Sequence, residues 1–370
     1  MKYIVEKKIF ISVGDPSGDI HASRLMKEIL NINPDVKFVG IGGKEMEKLN
    51  FKSLVPLEKI SVVGFWEVAK RYSYFKKLLE DSKTFIKNEK VDLFLPVDYP
   101  GFNLRLANYV KSIKIPVIYY IAPQLWAWGK TRTEKLKNSV DKLLVAFPFE
   151  EEFFNNDNIN ATFVGHPLLD DPVFKEKEYE RDTKLIALLP GSRVQEVKTH
   201  LELFIKVIKE SRKTTNLKFG IAKSSNVPIE CFDEILKIDG VELWDNSKEL
   251  MQKAKVGIIK TGTSNLEAAL CNLPFIMIYQ TSFITYNLGK YLINLDYISL
   301  INILQNKPII PELIQSDANY KNLTNELLSL YNDEEKITNI LSEYSKIREK
   351  LGKYSASKMS AKIITEQLDK

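Results

Sequence analysis

The chain predicts an α/β protein built from two doubly wound domains. Three observations carry that expectation. Short apolar runs alternate with helix-length amphipathic stretches through the first half, the same alternation restarts near residue 184, and a charged segment holding a proline (DDPVFKEKEYERDT, 170–183) separates the two sets. Apolar runs flanked by helices imply parallel strands covered on both faces, and two such sets imply two sheets. A length of 370 residues suits two domains of ordinary size.

In chain order, KIFISVG leads into a helical pattern over 20–30, and KFVGIGG leads into another. VDLFLPVD precedes a helix over 104–111, and IPVIYYIAP, DKLLVAF and ATFVGHP complete the first set. The second set runs KLIALLPGS, LKFGIA, VELWD, VGIIKTG and PFIMIY. Beyond Pro311 the chain turns charged and helical. In open α/β sheets ligands bind beyond the carboxyl ends of the strands, and most motifs fall at such ends. A cleft between two facing domains is therefore the expected site.

Composition narrows the function classes. Hydrophobic content of 44% and charged content of 27% support real cores rather than disorder. A net charge of +5 does not call for nucleic acid, though a clustered part of it would meet an anionic membrane. The two cysteines, Cys231 and Cys271, lie far apart, so neither a disulfide frame nor a zinc site is expected, and a reducing cytosol fits. His21, His166 and His200 are too scattered for a metal cluster. The start of the chain reads as a strand and turn rather than a secretory leader. The longest uncharged stretch, 268–289, contains Asn272, Pro274, Gln280, Thr285 and Asn287, so it reads as a helix end, a buried strand and a loop. A membrane span needs about 20 mostly apolar residues, so membrane contact is expected to be peripheral.

The strongest chemical signal is a pair of strand–glycine-turn–helix junctions in the second half. LIALL runs into Pro190, Gly191, Ser192 and Arg193, and VGIIK runs into Thr261, Gly262 and Thr263, followed by Ser264, Asn265, Leu266 and Glu267. Glycine lets the backbone approach phosphates, and a helix N-terminus offers free N–H groups and partial positive charge. Arg193 stands where a guanidinium would fork onto phosphate oxygens. Either junction alone reads equally well as a plain turn; together they favour a nucleotide-diphosphate site.

The other motifs carry two readings each. In GDPSGD, Asp15, Ser17 and Asp19 are too acidic to cradle an anion and suit hydrogen bonds to a sugar, or else cap the following helix. In VDYPGFNLRLA, Asp98 at a strand end is a general-base candidate or a first-turn carboxylate, and Asn103 would cap. Trp126 and Trp128 would floor a sugar or acyl chain, or pack in the core; Lys130, Arg132 and Lys135 follow them. In VVGFWEVAKRYSYFKKLLE, Phe65, Trp66, Tyr74 and Phe75 interleave with Lys70, Arg71, Lys76 and Lys77. That pattern suits either a membrane interface or an ordinary inward-packing helix. Near the proline-delimited turn of YISLINILQNKPIIPELIQ, Asn302, Glu312 and Gln315 come together; Glu312 is a ribose-binding candidate, and Glu267 is a second. The chain contains no Asp-x-Asp, no P-loop and no G-x-G-x-x-G, so neither a metal nor a dinucleotide cofactor is expected.

These motifs, in this order, resemble the lipid-A-disaccharide synthases. The likeness runs from GDPSGD through FVGIGG, VGFWEV, DYPGFNL, YYIAPQLWAW, PFEEEFF, VGHPL, LLPGSR, GTSNLEAAL, YISLINIL and PELIQ, nearly the whole chain. It implies a GT-B fold, two facing Rossmann-like domains over 1–170 and 171–344, with C-terminal helices over 345–370 returning to the first. It implies transfer of the sugar of UDP-2,3-diacylglucosamine to the 6-hydroxyl of 2,3-diacylglucosamine 1-phosphate, by an enzyme peripheral to the cytoplasmic face of the inner membrane, with a homodimer allowed. Arg193, Ser192 and the 261–263 turn, with Glu267, Asn302, Glu312 and Gln315, fall in the UDP half; Asp98 aligns with a catalytic carboxylate; Asp15, Ser17 and Asp19 line the facing wall. Three positions depart from the usual pattern: Gly101 in place of an aspartate, Gly129 in place of an arginine, and Gln280 in place of a basic residue. Two other readings stay open, another GT-B enzyme or epimerase acting on an unacylated UDP-sugar, and a catalytically silent membrane-surface protein.

Overall fold

The computed structural model describes residues 6–60, 72–128, 133–281 and 296–369. The chain divides into two compact units, Met1–Asp171 with Lys350–Lys370, and Pro172–Glu349.

In the first unit the elements run β1 (Lys8–Ser12), α1 (Pro16–Ile32), β2 (Lys37–Ile41), α2 (Lys44–Glu47), β3 (Lys52–Ser53), α3 (Tyr72–Asn88), β4 (Leu93–Pro96) and α4 (Pro100–Ser112). They continue with β5 (Ile118–Tyr120), α5 (Leu125–Trp128), α6 (Thr133–Ser139), β6 (Lys142–Val145), α7 (Pro148–Asn156) and β7 (Ala161–Phe163). Four strands pair in the order β3-β2-β1-β4 and three as β5-β6-β7, all parallel. Parallel bridges Phe94–Val117 and Val97–Tyr120 join the two groups. The strands are apolar runs such as Leu93, Phe94 and Leu95, all fully buried, as a sheet covered on both faces requires.

The second unit contains β8 (Asp182–Leu189), α8 (Val194–Ser211), β9 (Lys218–Ala222), α9 (Asp233–Leu236), β10 (Val241–Trp244), α10 (Ser247–Lys253), β11 (Ala254–Lys260) and α11 (Thr263–Leu270). After these come β12 (Phe275–Tyr279), α12 (Leu300–Gln305), β13 (Glu312–Ile314), α13 (Tyr320–Asn332) and α14 (Glu334–Lys350). Among the described residues six strands are parallel in the order β10-β9-β8-β11-β12-β13. Helix α8 buries Val197, Leu201, Phe204, Val207 and Ile208, a stripe at helical spacing.

Two arginines fasten the ends of this unit. The Arg181 guanidinium donates to the carbonyls of Met251, Ala254, Cys271 and Asn272, and Arg348 donates to those of Phe174 and Leu270. These carbonyls lie at or just beyond the C-terminal ends of α10 and α11 or in the incoming segment, where a cation offsets the helix dipole and satisfies orphan acceptors. The last helix, α15 (Ala356–Leu368), belongs to the first unit and packs on α1. Its buried face is largely small, with Ala356, Ser357, Ser360 and Ala361 beside Ile364 and Leu368. The return is sealed by a hydrogen bond from the His166 amide to the Leu351 carbonyl, 2.9 Å.

Candidate active site

In each unit the strand order reverses beside the first strand, between β1 and β4 and between β8 and β11. Those reversals are where open α/β sheets bind ligands. The first unit places GDPSGD and DYPGFN at its reversal; the second places PGSR and TGTS.

Around the first reversal, Asp15 caps α1, accepting from the Gly18 amide at 2.7 Å, with Pro16 at the first helical position. Asp15 and Ser17 are exposed. Asp19 departs from the expectation that it meets substrate. It is buried, and its two oxygens accept from the amides of Gly43, Glu45 and Met46 at 2.9, 2.9 and 3.2 Å. It completes the turn into α2, whose N-terminal amides would otherwise be orphaned.

Asp98 follows β4 and is held by its main chain. Its amide donates to the Tyr120 carbonyl, and its carbonyl accepts from Asn103 Nδ2 at 2.8 Å and from the Tyr119 hydroxyl at 2.6 Å. Asp98 and Tyr99 both adopt left-handed backbone, φ 44° and 53°, a costly conformation for residues other than glycine that persists where surrounding contacts enforce it. The Tyr99 ring lies where a side chain on residue 14 would sit, so only glycine fits there: an added Cβ would come within 2.1 Å of the ring. Asn103 is buried, and it ties Ser12 and Asp98 together rather than serving as a simple cap. The Asp98 residue itself is exposed. The protein crowded around its carboxyl, and then the neighbouring Asp15 carboxylate, raise its pKa to about 6, against a lowering by the Tyr99 amide. Gly101 faces open space, with nothing within 4 Å of an added Cβ.

Trp126 on α5 donates its indole N–H to Glu150 at 2.9 Å and meets Phe149 edge-on. Glu150 also accepts from the Ala146 and Phe147 amides, and its burial pushes its pKa up to about 7. The Trp128 side chain, Gly129, Lys130 and Arg132 lie outside the described residues, as do Phe65, Trp66, Lys70 and Arg71. On α3, Lys76 and Lys77 are exposed, but Tyr74 and Phe75 are partly buried and pack against the core. These two aromatics therefore have the inward-packing role, because their positions share the helix face that carries Leu78.

Around the second reversal, Gly191 (φ +117°) turns the chain and Arg193 forms the N-cap of α8, with its side chain 57% exposed. Ser192 is exposed. Gly262 (φ +152°) is the N-cap of α11, with no side chain capping it, and it is exposed together with Thr263, while Thr261 is half-buried. Ser192 and Arg193 at one turn and Gly262 and Thr263 at the other thus lie at the surface beside helix N-termini, where anions bind. His200, buried under the first turn, hydrogen-bonds the Pro190 carbonyl through Nδ1 at 2.6 Å. Burial lowers its pKa and favours the neutral ring. Two charged residues that motif reading passed over also stand here: Lys260, the last residue of β11, pairs with Glu196 at 3.1 Å. A lysine ending the apolar run VGII shortly before a glycine turn was the available signal.

The residues expected on the ribose side are engaged with backbone to different degrees. Asn302 is buried and makes four bonds, accepting from the Ile309 and Ile310 amides and donating to the Ile310 carbonyl and to Glu312. Glu312 accepts from the Ile298 and Ser299 amides as well. Gln315 pairs with the Thr281 amide and carbonyl at 2.9 and 3.0 Å. Asn302 thus satisfies backbone groups of the proline-delimited turn, while Glu312 and Gln315 serve backbone at 298–299 and 281. Gln280 likewise donates to the Ala318 carbonyl. Glu267 sits half-buried on the first turns of α11. Among the described residues no cluster of potential metal ligands occurs.

The family model described as lipid-A-disaccharide synthetase matches residues 9–366. The chain belongs to that family. Relatives include the lipid-A-disaccharide synthase of Persephonella marina, 35% identical with 97% of this chain and 99% of the relative covered. Lipid-A-disaccharide synthase 1 of Legionella pneumophila is 32% identical, with 94% of each covered. Among solved structures, an S. aureus MnaA–UDP co-structure superposes with a TM-score of 0.65 at 14% identity, covering 98% of this chain and 97% of that one. The calicheamicin glycosyltransferase CalG4 superposes at 0.63 and 11%, covering 99% of each. At such identities the structural likeness establishes the fold, GT-B. As a lipid-A-disaccharide synthetase family member, the protein is a disaccharide-forming glycosyltransferase of lipid A biosynthesis.

Proposed function

We propose that the protein transfers the sugar of UDP-2,3-diacylglucosamine to the 6-hydroxyl of 2,3-diacylglucosamine 1-phosphate with inversion at the anomeric carbon. The observation that carries the mechanism is Asp98: an accessible carboxyl with pKa near 6, its backbone fixed at the strand reversal of the first unit. At neutral pH it is largely ionised and basic enough to take the hydroxyl proton as the acceptor oxygen attacks. The new bond joins that oxygen to the donor C1, the bond from C1 to the β-phosphate oxygen breaks, and UDP leaves with the electron pair. Arg193 and the amides of the 191–193 and 261–263 turns meet the charge growing on the diphosphate. The exposed residues Ser192, Arg193, Gly262 and Thr263 at the two helix N-termini support placing the diphosphate in the second unit. In this reading the exposed Asp15 and Ser17 meet the acceptor sugar.

The experiment is direct. Asp98→Ala should lower turnover by about 10²–10⁴ while UDP binding by calorimetry stays near that of the parent, with the product followed by mass using acylated donor and acceptor. Turnover close to the parent's removes Asp98 from the mechanism. Activity on an unacylated UDP-sugar would point instead to another GT-B reaction.

A further inference from the structure

Glu196 occupies an unusual position for an ion-pair partner. It is the third residue of α8, directly over the Gly191 turn, where an added Cβ on residue 191 would come within 2.7 Å of its Oε2. Its other oxygen, Oε1, is shared by two cations that arrive from the two sides of the strand reversal. Lys260 Nζ lies at 3.1 Å and Arg193 Nη1 at 3.4 Å. Lys260 and Glu196 side chains are each 20% exposed, and Arg193 is 57% exposed, so the three form a shelf reachable from solvent. Two cations and the positive ends of α8 and α11 would repel one another if the space were empty of anions. A carboxylate oxygen between them supplies the missing negative charge, in the place where a phosphate oxygen would do so.

We propose that Lys260 is a second diphosphate-binding cation of the donor site, and that Glu196 is its resident counter-anion, exchanged for the nucleotide. This rests on placing the donor diphosphate at the 191–193 and 261–263 turns. When a diphosphate enters, its charge and that of Glu196 oppose each other, and Lys260 and Arg193 turn from carboxylate to phosphate. When UDP departs, Glu196 recovers both cations. The carboxylate therefore weakens nucleotide binding by competition and speeds release of the product.

Calorimetry on the full chain with UDP and with uridine tests this. The parent should bind UDP; a parent with no UDP affinity overturns the donor placement itself, before any variant is considered. Lys260→Met should weaken UDP binding by about tenfold or more and leave uridine binding unchanged, with Lys260→Arg restoring most of the loss. Glu196→Gln should tighten UDP binding severalfold and lower the donor KM. UDP binding by Lys260→Met equal to the parent's, or equal weakening by Lys260→Met and Glu196→Gln, would make the pair a brace between β11 and α8 and overturn the proposal. The Glu196→Gln arm stands independently if Lys260→Met is poorly folded.

Discussion

At the scale of single residues, Asp98 as the proposed base should set the pH behaviour. Its pKa is raised to about 6, so the carboxyl holds a proton below that pH and cannot accept one from the acceptor hydroxyl. The value of kcat/KM should rise with pH through about 6 and then level. Asp15→Asn removes a like charge beside Asp98 while asparagine still caps a helix, so the rising limb should move to lower pH. An unshifted limb in a pH–rate series would mean that Asp15 does not act on the base. Asp98 stood out in the sequence because a carboxylate ending an apolar strand has few structural uses, and the structure adds its left-handed backbone and raised pKa. The backbone bonds made by Glu312, Asn302 and Gln315 were not legible there. Whether a polar side chain is spent on a turn depends on which backbone groups that turn leaves open, and those amides belong to residues up to 34 positions away. Lys260 was missed for the converse reason, since its partner Glu196 lies on a different strand–helix junction.

At the scale of elements, the apolar runs announced the strands, because a strand buried on both faces has no room for polar alternation. Strand order was not written in them; it follows from which helices cover which face. The helices separate into those held by caps and those held by long-range ties. Helix α1 has its Asp15 cap, yet its second carboxylate, Asp19, is committed to the entry of α2. Asp19→Ala leaves three amides without their acceptor in a buried setting. It should cost about 2–4 kcal/mol of stability in urea unfolding, with UDP binding at the second unit unaltered. A loss near zero would show that water replaces the carboxylate there. On α3 the amphipathic pattern permitted two readings, and the partial burial of Tyr74 and Phe75 shows which face those two rings serve.

At the scale of the whole molecule, the described residues include no helix long and apolar enough to cross a membrane, while the substrates proposed here carry acyl chains. We propose attachment at a membrane surface through the basic run Lys70, Arg71, Lys76 and Lys77, of which Lys76 and Lys77 on α3 are exposed. Reversing these four charges to glutamate should release the protein from anionic vesicles in co-sedimentation, each basic residue contributing about 1 kcal/mol. Sedimentation unchanged by the reversal would dismiss this surface as the attachment. Two-unit organisation was readable from the repeated alternation and the charged segment between the sets. The stitching of α15 onto α1 was not readable from pattern alone, because small buried residues such as Ala356, Ser360 and Ala361 carry little periodic signal.

That stitching dictates an order of events during biosynthesis. The segment that covers α1 leaves the ribosome after the whole of Pro172–Glu349 has been made. The amino-terminal part of the first unit must therefore wait for α15 before its first helix is covered.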